Sequence, residues 1–416
     1  MNDQTKSKSR VTVVVLVLLV IAGGLAYWYK FDRDVPQPAW ITASARDNFL
    51  YGSTGAERDA GIPYWIWLAL PRIFPEYLPY PGGYVALGMT WEEGKEMPAG
   101  FSKKTNGYVR VAANCALCHA ASYRSAPDGV PQVVAAVPSH TVDLQPLLAF
   151  LKQCAQDPRF NARELLAEID TATELSFVDS LIYRFILIPR TRQALLDQTS
   201  VIVDSTLRAH SQNPGVPFSD PRLKALEDLI ANLKAPAYPL PIDSTLASAG
   251  KPLFAQHCAS CHAVDPGDKT KGKAFPLSEI GTDRALLDKW MTASGRPGAS
   301  AGLTSAHQEM LKGGGYGAAA VAGIWLRGPY LHNGSVPSLR DLLEPQAQRR
   351  PIFFPGNDVI DPENLGFLSI AEEEPGRRKF QRYDTTKPGN SNAGHLYGTA
   401  LSRSEKDALL EYLKTL

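Results

Sequence analysis

The chain is 416 residues long, 44% apolar and 20% charged, and its 43 basic against 42 acidic side chains leave a net charge of +1. This length points to two or three domains with a sizeable core, and near-neutrality excludes the basic footprint of a nucleic-acid-binding protein. Five cysteines are too few for a disulfide-built scaffold, while 33 glycines and 32 prolines predict long irregular connections.

Residues 2–10 are polar and carry Lys6, Lys8 and Arg10; residues 11–25 are apolar except for Thr12, and Ala26, Tyr27, Trp28 and Tyr29 follow. About 19 such residues in a helix rise nearly 30 Å, enough to cross a bilayer core. The basic flank places the amino terminus in the cytoplasm and the aromatic cluster at the far interface. A cleaved signal peptide is the competing reading, because Gly24-Leu25-Ala26 is a small-residue cleavage site. Either way the remainder is exported. Residues 1–30 are thus read as membrane anchor or signal segment.

Residues 31–110 are rich in proline, glycine and aromatics, as in Ile62-Pro63-Tyr64-Trp65-Ile66-Trp67 and the run from Tyr77 to Gly83. They read as loops and turns wrapped over a core. Helical apolar spacing follows at residues 144–154, 162–169 and 222–234, the last ended by Pro236. Residues 235–242 (APAYPLPI) are the best linker, and Asp243 or Ser244 caps the next helix. Ser402-Arg403-Ser404-Glu405 is a capping box that opens a closing helix burying Leu409, Leu410, Leu413 and Leu416. No strand-rich region is predicted. The divisions are residues 31–240 and 241–416, each holding one of the motifs below.

Asn114-Cys115-Ala116-Leu117-Cys118-His119 and His257-Cys258-Ala259-Ser260-Cys261-His262 both contain C-x-x-C-H. The spacing lets two thiols on one turn form thioethers to haem vinyl groups while the next histidine reaches the iron. A zinc site wants its cysteine pairs far closer than the 143 residues between Cys115 and Cys258. A thioredoxin-like pair leaves the second copy unexplained. Two covalently bound haem c groups are therefore expected, one on Cys115, Cys118 and His119, the other on Cys258, Cys261 and His262. The fifth cysteine, Cys154, reads as an inert buried thiol.

The second axial ligand decides whether a haem only passes electrons or also binds a small molecule. His140, His210, His257, His307, His332 and His395 remain, with Met89, Met97, Met291 and Met310. His257 adjoins Cys258 and lies on the proximal side of its own haem. The residues alone leave the choice open.

The run from Gly323-Ile324-Trp325 through Pro329-Tyr330-Leu331-His332-Asn333-Gly334-Ser335-Val336-Pro337 resembles the P-Y-(F/L)-H-(D/N)-G-S signature of bacterial di-haem cytochrome c peroxidases. Its wider form is more similar to the di-haem rubber oxygenases and their relatives. So are Phe354-Pro355-Gly356 with Asp361-Pro362 and Gly366-Phe367, and Tyr383-Asp384-Thr385 with Gly389-Asn390-Ser391-Asn392 and Gly394-His395. The resemblance covers residues 60–416 and implies a mainly α fold. That fold has two cytochrome c-like helical haem domains with long irregular loops, sharing an interface, behind an N-terminal transmembrane helix.

Carried over, the resemblance makes His119 and His262 proximal iron ligands and His395 the second ligand of the C-terminal haem. The peroxidases place a methionine where this chain has Gly313-Gly314-Gly315-Tyr316-Gly317; Met310 is the nearest methionine. Tyr316 falls beside the slot where the methylamine-dehydrogenase maturation enzyme uses a tyrosine. His332 is read as a structural or propionate-side group, and Trp325 and Tyr330 as core or as a path between haems. The N-terminal haem is expected to be open or weakly held, its pocket drawn partly from residues 177–189, with Glu174 and Asp179 available as proton carriers.

These readings describe an exported di-haem c-type cytochrome that transfers electrons and reduces peroxide or activates oxygen at the N-terminal haem. A pure electron carrier and an oxygenase of an apolar substrate are the alternatives. The anchor argues against a polymer-cleaving enzyme, which must leave the cell, and shared fold does not establish shared activity. The expected location is the bacterial periplasm, tethered to the inner membrane by the N-terminal helix. The expected partner is a redox protein or respiratory complex, not nucleic acid. The runs Arg349-Arg350 and Arg377-Arg378-Lys379 read as local basic features of the surface such a partner meets. A bound calcium ion is possible, but no residues are assigned to it.

Overall fold

The computed structural model describes residues 2–197, 234–262, 274–294, 312–318 and 321–416. His210, His307, Met310 and all but Lys234 of the helix expected over residues 222–234 lie outside them.

The apolar N-terminal segment is a helix, Asn2–Tyr27, continued by a π-helical turn, Trp28–Asp32. Its stretch Val13–Asp32, 20 residues, is long and apolar enough to cross a membrane and is nowhere buried against the protein. Its far end is sewn into a sheet. The amide of Gly107 donates to the carbonyl of Arg33 at 2.7 Å, and Asp34–Val35 pairs antiparallel with Asn106 and Thr105. Gly107 has φ +72°, and a Cβ there would lie 2.3 Å from Phe31 Cα, so both the turn and the close approach require glycine.

That sheet corrects the mainly α expectation. Among the described residues the chain forms one four-stranded sheet, in the order Asp34–Val35, Phe101–Asn106, Tyr108–Ala113, Ile62–Pro63, and five two-stranded ones. The fold is a mixture of helices and small sheets. Most strands are two to four residues long, too short for alternation of apolar residues to show. The exception is the hairpin through Asn106-Gly107, the dipeptide that most strongly favours a tight reversal. Residues 31–110, expected as loops and turns, hold most of this hairpin.

The first core packs helices Tyr64–Ile73, Leu144–Gln156 and Ala162–Ala172 around Trp67, Leu70, Phe150 and Leu165. Asn161 caps the last of these, its side-chain oxygen accepting from the amides of Arg163 and Glu164. Cys154 is fully buried here, and burial pushes its thiol well up. Met89 and Met97 are also buried in this core.

The second core is built on the helix Ser244–His257, capped by Asp243, and the closing helix Arg403–Leu413. The capping box at Ser402 and Glu405 forms in both directions, and Leu409, Leu410 and Leu413 are buried. The two helices meet at Gly250, where a Cβ would lie 2.0 Å from the carbonyl oxygen of Ala408. Residues 235–242 pack against this core: Trp325 Nε1 donates to the Pro236 carbonyl at 3.2 Å, and Tyr238 is buried.

The cores interlock. Strands Ala120–Tyr123 and Gln132–Ala135 pair directly after the first C-x-x-C-H motif, and Ala121 belongs to the second core. Tyr123, Val134 and Val137 pack on it as well. The resulting seam brings the two motif-bearing parts of the chain into contact.

Candidate haem sites

Both C-x-x-C-H motifs fold into the same turn. In each, the histidine amide donates to the first cysteine's carbonyl at 3.0 Å, His119 to Cys115 and His262 to Cys258. The amide of the second cysteine reaches the same carbonyl, at 3.3 Å for Cys118 and 3.1 Å for Cys261. One turn therefore brings two thiols and an imidazole together, as thioether attachment and axial ligation require.

Different surroundings fix the two turns. Asn114 is buried ahead of the first; its side-chain amide donates to Leu50 O and Gly52 O at 3.2 and 3.1 Å, and its oxygen accepts from the Ala116 amide. On the other side the Ser139 amide donates to Cys118 O at 2.9 Å. The second turn grows from the end of helix Ser244–His257, with the Cys258 amide donating to Phe254 O at 2.9 Å.

The residues present fit covalent haem. All four motif cysteines are free of disulfides and at least partly open, and Cys118 and His119 are exposed. Burial raises the thiols of Cys115 and Cys118, and pushes that of Cys258 up to about 11, which keeps them as neutral thiols at neutral pH.

Beside the second motif lies a histidine pair. The rings of His262 and His395 have centroids 6.0 Å apart and planes inclined by 56°. An imidazole nitrogen sits about 2 Å from a first-row metal ion, so two rings on opposite sides of one ion have centres roughly 6 Å apart. Burial, followed by the neighbouring His262, pushes the His395 pKa down to about 4, so the ring is neutral, the form that binds a metal. His395 Nδ1 is shut off from solvent without a hydrogen-bond partner, which a fold leaves where a further group completes the site. Among the described residues no three His, Cys, Asp or Glu side chains converge on a metal position. A porphyrin iron needs only two protein ligands, and a pair meets that requirement.

His395 sits on strained backbone, φ +50°, after Gly394 at φ +79°. A Cβ on residue 394 would lie 2.4 Å from Thr282 N, and the His395 amide donates to Ile280 O at 2.8 Å. Arg349 holds the loop from the other side. Its buried guanidinium donates to the carbonyls of Asn392 (2.5 Å), Gly394 (2.8 Å) and His395 (3.1 Å), and to Leu342 and Glu344. Asn333 of the signature donates to Gly389 O and Ser391 O at 3.1 and 3.0 Å, and Tyr383 donates to Asn333 O at 2.8 Å. The signature thus shapes the segment that carries His395.

The other candidates have different surroundings. The Tyr316 hydroxyl donates to Asp283 O and accepts from the Leu287 amide, both at 3.1 Å, and its ring stacks on His332 at 3.8 Å. Asp179 pairs with Lys30 at 2.6 Å and Glu174 is exposed, while Phe177, Val178 and Phe185 point outward. Trp325, fully buried, stands edge-on to Tyr123 at 5.1 Å and to Tyr238 at 5.6 Å. Tyr330 is buried, its hydroxyl donating to Ile324 O at 3.1 Å.

Three arginines of the basic runs are engaged within the protein, while Lys379 is exposed. Arg349 is buried as described, Arg350 pairs with Asp341 at 2.6 Å, and Arg378 donates to Thr141 O at 2.7 Å. Sequence reasoning missed Arg349, Asn333 and the buried Arg124; only Asn333 carried a signal, its place inside the signature.

The two turns and the histidine beside the second are the residue set of a c-type haem protein's attachment sites. Residues 315–354 match the model of a family described as RoxA-like, cytochrome c-like. That stretch supports a cytochrome c family and does not extend to the di-haem peroxidase superfamily. Two proteins of Sinorhizobium fredii are similar over longer stretches. Uncharacterized protein y4iJ is 29% identical over 56% of this chain and 48% of its own; uncharacterized protein y4iM is 29% identical over 45% and 52%. The chain therefore spans about half the length of these relatives, by the same 48% and 52%.

Proposed function

We propose that the protein is an exported, membrane-anchored di-haem c-type cytochrome that stores electrons on its C-terminal haem and reduces peroxide or activates oxygen at its N-terminal haem. The observation that carries this reading is the His262–His395 pair, 6.0 Å between ring centres, beside the second attachment turn. Covalently bound haem c supplies reversible one-electron exchange and, where one axial position is open, a place for a small oxidant.

The chain's residues divide the work. Cys258, Cys261 and His262 would hold the second haem, with His395 as its further protein ligand, which suits a site that only passes electrons. Arg349, Gly394 and Asn333 hold His395 in place. Cys115, Cys118 and His119 would hold the first haem, which the resemblance to the rubber oxygenases makes open or weakly held. Tyr123 follows the first motif within its own strand, and its edge contact with Trp325 starts an aromatic bridge into the second core. The inner-membrane anchor keeps the protein beside a respiratory donor.

Absorption and paramagnetic resonance of the haem-loaded protein test this. One low-spin and one high-spin ferric centre, with peroxide turnover after one-electron reduction, is expected. His395→Gly should convert the low-spin centre. Two low-spin haems unreactive to peroxide and oxygen would leave a pure electron carrier.

A further inference from the structure

The helix Phe177–Ile182 and the π-helical turn Tyr183–Leu187 carry two apolar faces. Tyr183 and Leu187 pack into the first core, and Ile188 and Leu195 of the following helix continue that face. On the other side Phe177 (78% exposed), Val178 (52%), Leu181 (38%) and Phe185 (69%) stand in solvent. Their spacing at i, i+1, i+4 and i+8 keeps them within an arc of about 100°. Single exposed apolar residues are ordinary; four on one face, two of them phenylalanine, form a patch.

The patch is tied to the end of the membrane helix. Lys30 Nζ pairs with Asp179 Oδ1 at 2.6 Å, and Asp179 lies between Val178 and Leu181. Lys30 is fixed in turn: Phe31 rests on Gly107, and the chain after it enters the sheet. From Val13 the helix rises about 26 Å to Lys30, which puts Lys30 near the far edge of a hydrocarbon core of about 30 Å. The headgroup layer beyond is about 5–7 Å thick, and a helix with its side chains is about 10 Å across. The helix that carries the patch, held to Lys30 through Asp179, therefore lies at headgroup depth. Trp28 and Tyr29, both exposed, mark the same level, and exposed Arg184 directly precedes Phe185 in sequence.

We propose that Phe177, Val178, Leu181 and Phe185 insert into the outer interface of the membrane that the N-terminal helix spans, giving the protein a second, monotopic contact with lipid. This rests on the anchor reading above. Two contacts fix the protein's tilt as well as its distance from the bilayer, with Lys30–Asp179 as the joint between them.

The test uses the haem-loaded full chain in nanodiscs of phosphatidylethanolamine and phosphatidylglycerol. It carries a nitroxide at F177C or F185C, with L18C as a deep reference and E372C as an aqueous one. Glu372 is exposed and Phe177 and Phe185 lie outside the core, so these changes leave the fold intact. Accessibility to oxygen over a water-soluble nickel chelate, read by power saturation, should be several-fold higher at 177 and 185 than at 372, and below that at 18. Ratios at 177 and 185 equal to that at 372, with 18 deep, overturn the inference and leave the anchor standing. Labels at 177 and 185 shielded from both agents show a protein covering instead and overturn it too. If the mature chain lacks residue 18 while 177 and 185 remain in lipid, the anchor reading falls and the second contact stands. Both fall if 18 is missing and 177 and 185 are aqueous.

Discussion

Arg124 Nε donates to Asp358 Oδ1 at 2.7 Å across 234 residues of sequence, from a guanidinium that is wholly buried. The same side chain reaches Glu374 at 2.9 Å, and the backbones join as well, Arg124 N to Asp358 O at 2.6 Å and Ile360 N to Arg124 O at 2.9 Å. Arg124 follows the first attachment turn by five residues, so this cluster fastens that turn to the far end of the chain.

Removing one partner of a buried pair leaves the other charge uncompensated, which costs about 3–5 kcal/mol. Arg124→Met should lower stability by that order, measured by urea unfolding of the haem-loaded protein. Burial raises the Asp358 carboxyl, but the Arg124 hydrogen bond and charge outweigh it and hold it below the usual carboxylate range. A depressed carboxyl stabilises above its unfolded pKa and loses that contribution as pH falls through the folded one. Asp358→Asn should therefore flatten the acid limb of the stability profile below about pH 4; an unchanged limb would count against the pair.

His140 gives a different pH signature. Its ring stacks on Phe367 at 3.9 Å with neither nitrogen hydrogen-bonded, and burial pushes its pKa down to about 3 from 6.5. The unfolded chain takes up this proton first as pH falls. Stability is full above pH 6.5 and lost down to about pH 3, at about 1.4 kcal/mol per pH unit. His140→Phe keeps the stack and should shrink the stability difference between pH 7 and pH 5. The same difference in both proteins would reject the assignment.

Arg349 holds the loop that ends in His395. Arg349→Leu should weaken or abolish the low-spin signal of the C-terminal haem while the other haem keeps its spectrum. Arg349→Lys, which cannot span five carbonyls, should fall between. A spectrum untouched in both variants would show that Gly394 and the Ile280 contact suffice.

The closing helix offers a local control. Ser402→Ala removes the capping box and should cost about 1 kcal/mol. Gly250→Val must drive the two helices apart at Ala408 and should cost more. Both are read by thermal unfolding of the haem-loaded protein.

Much of the candidate site was legible because its chemistry is contiguous: two attachment turns, each of five residues, needed no tertiary information. The caps at Asp243 and Ser402 were legible for the same reason. Arg349 and Arg124 were not, since the groups that bury them lie 43 to 46 and 234 to 250 residues away. A pair of arginines in sequence looks like surface whether or not a loop of carbonyls folds over it. The sheets were missed throughout: most strands are too short to show alternation, and the one local signal, Asn106-Gly107 in the hairpin of six-residue strands, was not read as a turn. His395 came from the family resemblance; spacing alone left it level with five other histidines.

The seam between the cores has a consequence for assembly. On the proposed export route the chain emerges from its amino end, so the hairpin after Cys118 and His119 must wait for residues 358–374 to arrive before it can be sealed. Local helices form early, and contacts of such long range form late. The first attachment turn thus stays open through most of translocation, while its cysteines await their prosthetic group. Closure of Arg124 on Asp358 marks the end of that interval.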